Sequence, residues 1–126
     1  MRRIDIKIPI YDWKITIVTL YNKDCKCALK KVIDEFSLPC EEELMEALDR
    51  GSYDGGKTFS RKTKREEVVI LFPWSNELSF IRILNHEKRH VIDDIAEWHN
   101  LTCPESTAYL DGFVSEEIFK RLDELK

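Results

Sequence analysis

From Ser75 to His99 the apolar residues recur at the period of an α-helix, and this stretch constrains the fold more than any other part of the chain. At about 100° per residue, Phe80, Leu84, Val91 and Ile95 fall in one arc, flanked by Ile81 and Ile92. A stripe of that width has to be buried, so the rest of the chain must supply a surface for it to lie on. Ser75 reads as the N-cap and Glu77 as the acidic residue of the first turn. His86, His90, Asp93 and Glu97 occupy the opposite side. Lys88 projects into the middle of the apolar arc, where snorkelling is the only reason the pattern offers for it.

The surface for this helix comes from upstream. Trp13 to Leu20 is rich in β-branched residues and reads as a strand. Leu29, Val32, Ile33 and Phe36 have helical spacing, and Pro39 closes that helix. Glu41-Glu42-Glu43 opens a second short helix, with Gly51 just past its end. Gly55 to Ser60 and Glu66 to Phe72 read as two strands of a hairpin joined by the basic turn Arg61 to Arg65. After a turn at Asn100 to Cys103, residues Glu105 to Leu125 form a last helix with Leu110, Phe113, Val114, Ile118 and Leu122 as its apolar positions. The resulting expectation is an α+β fold in one domain spanning residues 1–126.

His86-Glu87-Lys88-Arg89-His90 is an HExxH sequence on the polar side of this helix. Histidines at i and i+4 stand one above the other, so both imidazoles can converge on one zinc ion. Glu87 lies about 100° round from His86, close enough to act as general base on a water at the ion without being a ligand itself. Such a motif arises in roughly one shuffled chain in two hundred, so its helical setting has to carry the reading. All three histidines of the chain lie between positions 86 and 99.

A catalytic zinc needs a third protein ligand. His99 follows His86 by thirteen residues and Ala96 stands where a metzincin would place its third histidine, so that pattern is not met. Asp94 is one turn beyond His90, on a nearby face. Glu105 opens the next helix, which can fold back on the first; Ala108 and Gly112 on its face are small enough for close approach. Glu105 is equally well explained by a capping box, Thr102-x-x-Glu105, in which it only closes the helix end.

The stretch Gly55-Gly56-x-Thr58-Phe59-Ser60, the strand ending at Phe72, Asn85-His86-Glu87-x-x-His90, and Glu105-Ser106-x-Ala108-Tyr109-Leu110-x-Gly112 together resemble small zincin-like proteins of phage and bacterial mobile elements, a minimal gluzincin type. The resemblance covers about residues 55–126. It implies His86, His90 and Glu105 as zinc ligands and Glu87 as general base of a metallopeptidase. It also implies a small mixed sheet packed on the active-site helix, with an exposed strand above the metal. Val68 to Phe72 is the candidate for that strand, to which a peptide or protein substrate could pair by β-augmentation.

The competing reading is a zincin-like binding or regulatory protein of a mobile element without turnover. Asp93 or Asp94 could orient a ligand imidazole, Tyr109 could serve an oxyanion but more simply packs in the core, and Cys103 and His99 fall near the proposed site. Of Cys25, Cys27, Cys40 and Cys103, none has zinc-knuckle spacing, and reduced thiols are expected. With 20 Lys and Arg against 24 Asp and Glu the net charge is −4, which disfavours nucleic acid as a partner apart from the patch at Arg61 to Arg65. No apolar run suits an export signal or a membrane span, so a cytoplasmic protein is expected.

Overall fold

The structure is a computed structural model that describes residues 1–21, 25–39, 42–51 and 54–126. Cys40 and Glu41 lie outside the described residues. The elements run β1 (Arg2–Ile8), β2 (Trp13–Thr19), α1 (Cys25–Phe36), α2 (Glu42–Asp49), β3 (Gly56–Arg61), β4 (Glu66–Leu71), α3 (Glu77–Trp98), α4 (Pro104–Lys120) and α5 (Leu122–Leu125). The fold is α+β, and the four strands form one mixed sheet in the order β1-β2-β4-β3. β2 and β4 are parallel at its centre, and each outer strand is antiparallel to its neighbour.

Each half of the sheet is a hairpin closed by four residues: Ile8 pairs Trp13, and Arg61 pairs Glu66. Both connections make a 3-10 turn, Pro9–Tyr11 and Lys62–Lys64, followed by a left-handed residue, Asp12 (φ 51°) and Arg65 (φ 53°). The basic run Arg61 to Arg65 is thus a hairpin turn. β1 was not anticipated, although Ile4, Ile6 and Ile8 alternate with Asp5 and Lys7 and are all buried.

Alternation along the strands divides the interior into two layers. Val68, Ile70 and Phe72 turn to the side of α1, against Leu29, Val32 and Phe36. Val69 and Leu71 turn to the other side, against Phe80, Leu84 and Val91 of α3. The central strands are buried on both faces, which is why β4 reads as an unbroken apolar run from Val68 to Leu71. No helix among the described residues is long and apolar enough to cross a membrane.

α3 buries the expected stripe, and Ile83 and Glu87 with it. Its N-cap is Asn76, whose side chain accepts from the Ser79 amide at 2.9 Å. Ser75 instead donates its amide and hydroxyl to Asp54, tying the helix entry to the segment before β3. The last helix is divided: α4 ends at Lys120 and the chain turns at Arg121 into α5.

Lys88 acquires a reason. Its ammonium lies 3.0 Å from Asp111 Oδ1 and donates to Ser115 Oγ at 2.7 Å, bridging α3 to α4 with its side chain 15% exposed. Breaking such a half-buried pair from one side leaves a desolvated charge. Asp111→Ala is therefore expected to cost about 1–3 kcal/mol in urea unfolding, whereas Lys88→Met, which can pack its thioether in the same gap, should cost less.

Glu67 on β4 is fully buried, and neither of its carboxyl oxygens makes an ordinary hydrogen bond. Burial first, and then the adjacent Asp94 on α3, push its pKa up to about 9, against smaller opposing pulls from Ser60 and Lys62. Two carboxyl groups side by side can bond only through a shared proton, so Glu67 is neutral in the folded chain at pH 7. The unfolded chain releases that proton near pH 4.5, so folding takes up a proton between about pH 4.5 and 9 and stability falls as pH rises through that window. Urea midpoints measured from pH 5 to 9 should decline for the native chain and flatten in Glu67→Gln; equal slopes would show that Glu67 is ionised.

Candidate metal centre

α3 holds His86, Glu87 and His90 in mid-helix, where the backbone is most rigid. At about 100° per residue the two histidines are about 40° apart on the helix surface. Both are exposed, while Glu87, between them and the core, is 4% exposed. His86, Glu87 and His90 form the one group among the described residues in which three metal-binding side chains converge, each donor atom lying within 4.8 Å of the others.

The two Nε2 atoms are 3.3 Å apart, with the rings at 78°. That separation is long for a direct hydrogen bond between them. It does match two nitrogens sharing one tetrahedral zinc: ligands at 2.0–2.1 Å subtending about 109° stand about 3.3–3.4 Å apart. The donor chemistry and spacing of the pair therefore fit zinc. Glu87 Oε2 lies 4.0 Å from His86 Nε2, too far for a tight ion pair and well placed to accept from a water between them.

Glu87 is seated by β3. Thr58 Oγ1 donates to Glu87 Oε1 at 3.0 Å. Gly56, two residues earlier on the same face, lies directly beneath the side chain: a Cβ there would stand 2.9 Å from both Glu87 Cγ and the Ile70 carbonyl oxygen. Gly-x-Thr was visible in the sequence, but nothing local tied it to Glu87. The contact exists only because α3 crosses β3.

β4 is paired on both sides, to β2 and β3, so Val68 to Phe72 offers no free edge. The strand at the border beside the histidines is β3, which pairs with β4 alone among the described strands. The border strand is thus one hairpin arm earlier than the sequence suggested.

Glu105 does not join the converging group. It is exposed in the first turn of α4, and the N-cap is Cys103, one residue later than a Thr102 capping box requires. The reason for its distance lies in the packing of α4, which docks on the Lys88 side of α3, about 160–200° round from the histidines. Asp111 and Ser115 mark that level, and Glu105 is six and ten residues earlier, about 9–15 Å along the axis. Gly112 meets nothing and Ala108 is exposed, so the small residues do not bring the helices together.

Other candidates are similarly dispersed. Asp93 pairs with Arg89 at 3.1 Å, and Asp94 lies beside Glu67. Tyr109 is 76% exposed and so does not pack in the core. His99 caps α3 and packs tilted against Tyr11 and edge-on to Trp13, where burial first and the nearby Arg65 second depress its pKa. Cys103, Cys25 and Cys27 lie outside the converging group, and the Cys25 thiol donates to the Tyr21 carbonyl.

Comparison of the chain with family models, with curated proteins and with solved structures finds no match, so its function is argued from this site alone.

Proposed function

We propose that the chain is a zinc-dependent hydrolase of the metallopeptidase type, with His86 and His90 as ligands and Glu87 as general base. The observation that carries this reading is the 3.3 Å separation of the two Nε2 atoms beside a buried carboxylate that is not itself between them. Zinc, when bound there, would polarise a scissile carbonyl and acidify a water. Glu87 Oε2 would take a proton from a water held beside the histidines as the water oxygen bonds to the carbonyl carbon, and would return it to the amine nitrogen as the C–N bond breaks. The products are a carboxylate and an amine. The free edge of β3 supports an extended peptide beside the histidines, with main-chain hydrogen bonds supplying affinity.

A catalytic site takes a third protein donor. Glu105, implied by the resemblance, reaches the histidines only if the first turn of α4 shifts when metal binds. Its distance favours the alternative of a zincin-like protein that binds a partner without turnover, so the tests separate the two.

Protein made without a polyhistidine tag and reconstituted at neutral pH should hold zinc near one per chain, and His86→Ala should abolish it; a metal-free native chain would defeat the proposal. Glu87→Gln should keep the zinc and lose at least 100-fold in chelator-sensitive cleavage of a mixed peptide library. If native and variant chains both bind zinc and neither cleaves, the binding reading stands instead. Zinc competition titrations of Glu105→Gln decide the third ligand: a loss of 100-fold or more assigns it, and a change within threefold excludes it.

A further inference from the structure

The geometry points to Thr58 as a positioning residue for Glu87, an inference that rests on the proposed role of Glu87 as general base. A glutamate carboxylate turns easily about its last torsion, which is broad and roughly two-fold, so burial alone does not decide where its oxygens face. Here the two oxygens are distinguished. Oε1 accepts from the Thr58 hydroxyl at 3.0 Å, and Oε2 is left on the side of His86, 4.0 Å from its Nε2. Gly56 completes the seat from below, since its missing side chain is what lets Glu87 Cγ come down onto β3 beside the Ile70 carbonyl. One arm of the seat fixes depth and the other fixes rotation.

The arrangement has a consequence for substrate engagement. β3 is both the border strand among the described strands and the one that carries Thr58, so a peptide that pairs with this border would order the same backbone that aims the base. Thr58 touches neither the proposed ligands nor the scissile bond, and it acts only through Glu87.

The test compares Thr58→Val, which keeps the shape and loses the hydroxyl, with Thr58→Ser, which keeps the hydroxyl. Zinc affinity should stay within threefold in both. On any peptide the native chain cleaves, Thr58→Val should lower kcat about 10–100-fold with KM within threefold, and Thr58→Ser should restore kcat to within about threefold. A crystal structure of zinc-loaded Thr58→Val gives a readout independent of turnover: the Glu87 carboxylate should leave its single orientation and be disordered or rotated. Gly56→Ala provides a second variant, expected to lift Glu87 and lower kcat. Loss of kcat in Thr58→Val that serine does not restore, or an unmoved Glu87 carboxylate, overturns the positioning role. Absence of zinc from the native chain overturns the metallohydrolase reading and this inference together. If zinc is held but nothing is cleaved, the carboxylate orientation alone decides the role of Thr58.

Discussion

The line along which α3 meets the sheet determines where every other group of the site can be. Its apolar stripe packs into one cluster with Val69 and Leu71 of β4 and Ile15 and Ile17 of β2, and burying it leaves one rotational setting of the helix. In that setting Glu87 is drawn under the helix onto β3, and the histidines on its flank stay exposed. The approach is close because position 56 has no side chain to hold the helix off. Hydrophobic burial therefore fixes the geometry of the polar site. The histidines need no partner from the core to be placed, only a helix that cannot roll.

The parts of this arrangement that were legible in the sequence are those that depend on one element at a time. Phe80, Leu84, Val91 and Ile95 announce a helix and its buried side, and the i, i+4 spacing announces the imidazole pair. What depends on two elements was less legible. Val68 to Leu71 is apolar throughout because β4 is central and covered on both faces, and the same fact denies it a free edge. Glu105 has the right order in the chain, but periodicity does not report on which flank of α3 the next helix docks. Lys88, which the pattern could not explain, is what marks that flank through Asp111 and Ser115. Glu67 falls in the strand expected from Glu66 to Phe72, but nothing local marks it as buried, and only the strand register places it in the interior beside Asp94.

The sheet is built from two hairpins of matching turn length whose inner strands run parallel. The helix after the first hairpin covers one face, and the helix after the second covers the other. This is the relation of two like units turned about an axis parallel to the strands. The units have diverged in what they carry: α1 presents a simple amphipathic surface with Lys and Cys on its outer side, whereas α3 is longer and bears the histidines. Structure and chemistry are thus divided between two similar frames. A small sheet suffices because each frame supplies a cover for the other.

The border strand β3 also bears on self-association. A strand paired on one side alone among the described strands can meet the same strand of another copy, and six residues of edge are enough to begin intermolecular pairing. Lys57 and Arg61 lie on this strand and Gly56 begins it, two charges and a glycine that disfavour edge-to-edge pairing. The glycine that lets the helix approach also weakens the strand as a template for aggregation. Replacing it with a better strand former would then carry two penalties, a raised helix on one side and a stickier border on the other.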